Sequence, residues 1–554
     1  MHPQMILMPI ESNPSIHTNM NANFFPLLLV SGILASTVLA DTSSFVYDLN
    51  NRVTQVSYAD GRQAAFTYDE LGNILSISID DESAPSVLVE KPLLLTVGSE
   101  MPDYSITLSR PSVVLSYAAK GLPKGLKANL TSKANKEGKN PGTLYGVPTK
   151  EGNYQVQLSA KTIEGKTTPV ILMVQVTNPF ALIKNGFALA GQYSGILPDS
   201  VLTGGLGGTW TIKVTSTGSF SGNLIIGSQK FGFSGSFDGV TGLASSIIIT
   251  RKSPLTSLTL SLALDVSIES AGRGNMTGSI TDGISTDVFN GSRQIWSKNL
   301  PAFVYAEQKG SMYHTAFFIE TAHLLDEAYP QGVSYTVIKV DRLGKATIKG
   351  KLAEATAFTA STYVLADGQL PLFIPLYKGK GSLIGTLNFE TGFSEEIVSD
   401  NAVTGSLNWL RPALPSLLYS DGFITQLDAS GGVYLPPAKG SRILDLGSDP
   451  NHSPIQLILS EGGLEDSVYA DLTISTANKI MDITPNAHAI KLSLNASTGL
   501  FLGQFNEGTR KAKMEGIILP ANEHNESEAY GFFVLPGATS ATATKSGVSF
   551  IGPP

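Results

Sequence analysis

Residues 258–268 read Leu258-Thr259-Leu260-Ser261-Leu262-Ala263-Leu264-Asp265-Val266-Ser267-Ile268. Every second side chain is apolar, and those between are small or polar. Successive side chains of an extended chain point to opposite faces, so the stretch reads as a strand with one buried and one wet face. A wet face of Thr and Ser favours an antiparallel barrel or sandwich.

The same grammar recurs along the chain, from about residue 186 to the end. Trp210-Thr211-Ile212-Lys213-Val214 precedes Thr217-Gly218-Ser219-Phe220-Ser221-Gly222, and Ile490-Lys491-Leu492-Ser493-Leu494 precedes Thr498-Gly499-Leu500-Phe501-Leu502-Gly503. A looser copy runs from Tyr335 to Gly350 about a turn at Gly344. Gly291-Ser292 stands before Trp296, and Gly405-Ser406 before Trp409. Each copy is strand, Gly turn, strand, with glycine supplying the positive φ a hairpin corner needs. The spacing divides this region into units at 186–299, 300–412 and 413–554. The expected fold class is all-β: a sandwich followed by repeated antiparallel barrel or sandwich units. A single short helix is expected, within Thr321–Tyr329.

Composition agrees. Gly accounts for 55 of 554 residues, while charged residues make up 15% against about 25% in an average globular chain. Cysteine is absent, which excludes a disulfide scaffold, a Cys-ligated metal and a cysteine nucleophile. A net charge of −8 argues against nucleic acid as partner, since phosphate neutralisation needs a basic surface. Residues 24–40, FFPLLLVSGILASTVLA, form an apolar run ending Val38-Leu39-Ala40. Its length fits a signal-peptide core better than a membrane span. The first Lys or Arg is Arg52, so the leader lacks a basic start; initiation at Met20 would give a more ordinary one. Residues 1–40 are read as leader and signal peptide, the only segment expected to meet a membrane.

In residues 45–79, Tyr47-Asp48 recurs as Tyr68-Asp69. Asp60-Gly61 and Gly72-Asn73 supply turn signals, and Val53, Val56, Tyr58, Phe66 and Tyr68 supply apolar faces. The segment 41–82 resembles the YD repeat of bacterial Rhs proteins and animal teneurins, with Asn51 where that repeat usually has Gly. The resemblance implies β-structure from a shell-forming family, but two copies are too few to close a shell.

After the acidic linker 80–85, residues 86–178 carry Gly121-Leu122-Pro123-Lys124-Gly125-Leu126, then Gly146-Val147-Pro148-Thr149, then Gly152-Asn153-Tyr154 and alternating strands. Short strands with regular turn signals suggest a sandwich. The pattern resembles the immunoglobulin-like, cadherin-related domains of bacterial surface proteins. That resemblance implies calcium in some members. The acids available are Glu90, Glu100, Asp103, Glu137, Glu151 and Glu164, which form no ligand-spaced cluster. The tail, through 366–372 and 376–382, is similar to Gly-rich β-repeats of large surface proteins in Verrucomicrobia-like bacteria, which bring no catalytic residues.

His314, Glu320 and His323 are the best local group of titratable residues, but their spacing matches no metal motif. His452 reads as a turn residue. Gly379-Lys380-Gly381 reads as a hairpin corner. Trp210, Trp296 and Trp409 are placed inside strands as core. Sequons at Asn129, Asn275, Asn290, Asn451, Asn495 and Asn525 are attributed to chance in a Ser- and Thr-rich chain. No catalytic or cofactor-binding residue is nominated, no cofactor is expected beyond calcium by resemblance, and the metal ligands stay open. The reading is an exported, non-enzymatic, modular β-protein of the bacterial surface or medium, for adhesion or scaffolding, with a protein or glycan partner. An outer-membrane β-barrel, and a carbohydrate-binding module or glycosidase, are the alternatives.

Overall fold

In the computed structural model the alternating stretch forms the strand Leu258–Leu264. Leu258, Leu260, Leu262 and Leu264 are each at most 2% exposed, and Thr259, Ser261 and Ala263 face outward. The structure describes residues 44–58, 63–80, 84–89, 91–181, 188–253, 255–266, 274–302, 312–389, 402–416, 418–444, 455–520, 527–539 and 542–553. The leader and signal segment 1–40, Asp60-Gly61, Glu90, His452, Asn451 and Asn525 lie outside the described residues.

Three antiparallel sheets of eight strands each follow one another between Gly191 and Gly552. Each is an up-and-down meander whose first strand pairs with its last. In the first, Gly191–Leu197 lies against Thr286–Gln294, with Gly195 opposite Gly291. In the second, Met312–Ile319 lies against Phe423–Tyr434. In the third, Ile455–Glu461 lies against Lys545–Gly552. The sheets end at a seam between the fourth and fifth strands in the first two units and between the third and fourth in the last. They are near-barrels, which settles the barrel-or-sandwich alternative for this region.

Each interior is packed with large apolar side chains. Trp210 fills the first and Trp409 the second, both 1% exposed. Gly195 and Gly291 make the room for Trp210: a Cβ on either would stand within 2.8 Å of the indole. The outward face of Lys345–Lys351 carries Lys345, Thr347 and Lys349 in solvent. On this strand the apolar face is inside and the charged face outside, the reverse of the apolar outer band that a membrane barrel needs.

Two further expectations change. The second unit does not end at 412, because its closing strand runs Phe423–Tyr434. The Gly-Ser…Trp markers misled: Trp409 lies inside the seventh strand of its unit, whereas Trp296 lies beyond the eighth strand of its own. The turns at Gly218 and Gly344 both follow a second strand, but the matching turn at Gly499 joins a fourth to a fifth. Hairpin chemistry repeats; strand position does not. The expected helix is a 3-10 turn at Thr321–His323, and Tyr377–Gly379 forms a second such turn at the expected hairpin corner.

Residues 86–162 and 167–178 form a smaller β-domain. Gly152–Thr162 pairs with Val170–Thr177 and Val114–Lys120, and Leu93–Thr96 adds in parallel. Leu126–Ala128, Thr143–Gly146 and Tyr104–Ser105 form a second sheet. Val156, Leu158 and Leu172 are fully buried in its core.

The segment 44–80 is a four-stranded antiparallel meander. Its Tyr-Asp pairs have a physical role. Asp48 Oδ1 accepts the N–H groups of Asn50 and Arg52, and Asp69 Oδ1 accepts that of Asn73. The Asn73 side-chain amide, donating to Asp69 Oδ2, and these backbone bonds hold both carboxyls below the usual carboxylate range. The Arg52 guanidinium stacks over Tyr68 at 4.7 Å and bonds the Asp69 carbonyl. Asn51 has φ 62, which explains why glycine suits this position and why Asn is tolerated. Asn51→Val should cost about 1–3 kcal/mol, since a branched side chain resists that conformation. Faster amide exchange in 44–58 for Asn51→Val, but not for Asn51→Gly, is the expected readout.

Candidate functional site

Four β-modules between 86 and 552 are fastened at three joints, where most of the long-range polar contacts gather. At the first, Ser99 Oγ donates to Asp238 at 2.7 Å and accepts the Val240 N–H. Phe180, fully buried, joins the core of the first barrel.

At the second joint, Ser292 Oγ donates to Asp367 at 2.7 Å, Asn408 donates to Asp199 at 2.9 Å, and Ala366 N–H donates to the Arg293 carbonyl. Trp296 is not within a strand as expected. It packs against the second barrel's core and donates its indole N–H to the Val364 carbonyl at 2.7 Å.

The third joint is the most buried. His314, fully buried, donates Nδ1–H to the Ile518 carbonyl at 2.6 Å and stacks on Tyr434 at 4.2 Å. Burial drops the imidazole pKa to about 4. Gly499, with φ +62, stands against this ring; a Cβ there would overlap it. Tyr335 and Lys351 of the second barrel both reach Glu515 of the third, at 2.9 and 2.6 Å. Tyr335, Ala353, Ile517 and Phe532 form an apolar cluster across the same joint.

One end of the second barrel carries a buried charge network. Arg411 and Glu354 pair at 2.5 Å with side chains 4% and 1% exposed. Tyr377 donates to Glu354, Thr356 donates to it at 2.7 Å, and Trp409 donates to the Tyr377 oxygen at 3.0 Å. Three of the four remaining guanidinium N–H groups go to the carbonyls of Tyr419, Leu418 and Pro412. Burial beside Glu354 drives the Tyr377 phenol far above its ordinary pKa. Tyr419 carries the network across the third joint by accepting the Ser546 N–H at 3.0 Å. Every strong group here has a partner, as a buried pair requires.

At the same end, the 3-10 turn brings Glu320 and His323 together, as only a helical turn could. Glu320 Oε1 and Thr425 Oγ1 lie 3.0 and 2.9 Å from His323 Nδ1, and the ring stacks on Tyr329 at 3.7 Å. The Gln426 N–H lowers the Glu320 carboxyl pKa. A Ser- or Thr-type relay puts nucleophile and acid on opposite ring nitrogens. Here both sit on Nδ1, so the group orders a loop and has no relay geometry. His314 stands apart at the third joint.

Of the acids considered for calcium, Asp103 pairs with Lys139 at 2.7 Å and Glu137 with Lys127 at 2.9 Å. No group of three metal-binding side chains forms among the described residues. The Asn129 sequon is buried, with its amide donating to the Lys133 and Lys139 carbonyls. Sequence reasoning missed the Arg411–Glu354 network, whose members are 57 residues apart, and the lysines that line the third joint. The latter had a signal: the period-two placement in Lys345-Ala346-Thr347-Ile348-Lys349-Gly350-Lys351.

Comparison with known proteins gives one family match. The RHS Repeat model matches residues 47–83, the segment whose Tyr-Asp turns are described above. That match covers a small part of the chain. No curated protein sequence matches. Among solved structures, the chain is similar to a tryptophan-to-alanine mutant of the vaccine antigen transferrin binding protein B from Haemophilus parasuis. Identity is 8%, coverage is 80% of this chain and 95% of that one, and the TM-score is 0.16. That score is too low to carry any property of that antigen to this chain.

Proposed function

We propose that the chain is an exported, non-enzymatic, modular β-protein that serves at the cell surface or in the matrix as an adhesion or scaffolding element. The observation that carries this reading is the joints. Domains within a chain ordinarily meet through modest, mobile interfaces. Here each barrel is tied to the next by hydrogen bonds from Ser292, Trp296, His314 and Ser546. Barrels filled with Trp, Phe and Leu act as stiff units, and fastened joints hold their outer faces in fixed register. The RHS Repeat match at 47–83 and the signal-like run at 24–40 support a surface location. The glycosidase alternative needs two carboxylates flanking one open cleft, whereas Glu354 and Glu515 are each engaged by a cation and a phenol.

Fractionation of the source cells tests the reading. The chain should be cut by protease added to intact cells. Recovery with a soluble cytoplasmic marker, uncut until lysis, would overturn it.

A further inference from the structure

The third joint carries charge that the fastening does not use. Two open clefts meet there, of about 480 Å³ and 490 Å³. The first is lined by Lys339, Lys349 and Lys351 of the second barrel and by Thr498 of the third. The second is lined by Lys351, Lys491, Ser493, Gln504, Lys513 and Glu515. Lys351 and the joint itself are common to both, so the two form one trough.

The pleat explains the arrangement. Lys349 and Lys351 are two apart on one strand, hence on one face and roughly 7 Å apart. Lys339 is opposite Thr347 on the neighbouring strand. Lys491 and Lys513 flank Gln504 from either side in the third barrel, two strand spacings apart, roughly 10 Å. The carboxylate in the lining, Glu515, is held by Lys351 and the Tyr335 hydroxyl. Asp341, at the nearby hairpin turn, accepts the N–H groups of Leu343 and Lys345. No ion pair forms at Lys339, Lys349, Lys491 or Lys513 among the described residues. A chain of net charge −8 thus concentrates unneutralised ammonium groups along one trough, where walls of low dielectric focus their field.

The lining also says what kind of anion fits. The cations are spaced along the trough and do not converge on a point, so they suit charges strung along a polymer better than a single small ion. Thr347, Ser493 and Gln504 are hydroxyl and amide partners for sugar hydroxyls. Leu500 and the exposed Leu502 present apolar surface to a sugar's C–H face. No arginine lines the trough, which lacks the planar forks and stacked rings that nucleic-acid grooves use. We propose that this joint binds an acidic polysaccharide, a linear glycan carrying carboxylates at intervals. The proposal rests on the surface reading above for its biological setting, but the binding can be measured without it.

The test is binding of the full chain to polygalacturonate, with neutral dextran and single-stranded oligothymidylate as comparison polymers. Polygalacturonate should bind at low salt and weaken steeply as salt rises, while dextran should not bind. The variant Lys349→Glu/Lys491→Glu/Lys513→Glu changes exposed positions only and should weaken binding by about tenfold or more. Lys213→Glu/Lys230→Glu/Lys298→Glu, with the same charge change in and after the first barrel, should leave it nearly unchanged. Unaltered thermal melting shows that both variants fold. Equal loss in both variants, binding to dextran, or oligothymidylate bound as tightly as polygalacturonate would overturn the proposal. So would no binding by the parent chain. A cytoplasmic chain that still shows trough-dependent binding overturns the location alone; a surface-exposed chain that binds nothing overturns the trough alone.

Discussion

Arg411→Met should destabilise the second barrel by about 3–5 kcal/mol, the cost of leaving one partner of a buried ion pair behind. The substitution keeps most of the side-chain volume, so the loss is electrostatic. Glu354, 1% exposed, would retain only the hydroxyls of Tyr377 and Thr356. The carbonyls of Leu418 and Tyr419 would lose the donors that now sit at 2.6 and 2.5 Å. The double variant Arg411→Met/Glu354→Leu should recover a good part of the loss, because removing both charges removes the desolvation penalty as well. Denaturant unfolding followed by Trp409 fluorescence reads this barrel, since that indole donates to Tyr377 in the same network. An Arg411→Met chain as stable as its parent would show that the pair contributes nothing.

The joint between the second and third barrels should weaken as pH falls below about 6.5. His314 has its pKa lowered from 6.5 to about 4. Between those values the unfolded chain takes up a proton that the folded chain refuses, so stability falls with decreasing pH. Above the unfolded pKa the contribution is complete. By about pH 4 roughly 3 kcal/mol is withdrawn from this one group, at about 1.4 kcal/mol per unit. The cause is burial: the ring is sandwiched by Tyr434 and Gly499, with Nδ1 on the Ile518 carbonyl and Nε2 without a partner. His314→Phe keeps the stack but cannot titrate. It should be less stable than the parent at pH 7.5, because the carbonyl loses its donor, and should show a flatter stability profile between pH 6.5 and 5. Parallel pH profiles for the two chains would refute the assignment.

Much of the architecture was readable along the chain. The alternation of Leu258–Leu264 is a local property of an extended backbone and told buried face from wet face. The turns at Gly218, Gly344 and Gly499 were readable because a corner in positive φ selects its residue. The Glu320–His323 contact was readable as a condition, that the segment turn helically, which Thr321–His323 met.

Other features depend on which strands become neighbours. The unit boundary expected at 412 moved because Phe423–Tyr434 pairs with a strand more than a hundred residues earlier. Trp296 and Trp409 follow similar Gly-Ser markers, yet one closes a joint and the other fills a barrel. Arg411 met Glu354, and Lys349 came to share a trough with Lys491 and Lys513, through barrel closure and barrel docking. The sequence by itself determined an all-β chain of alternating strands and glycine corners, because side-chain period and turn conformation are set within a few residues. Only the tertiary structure decided the three near-barrels, the fastened joints and the lysine trough. Those rest on register between distant strands and on charges compensated, or left uncompensated, across them, and neither leaves a mark at short range in the chain.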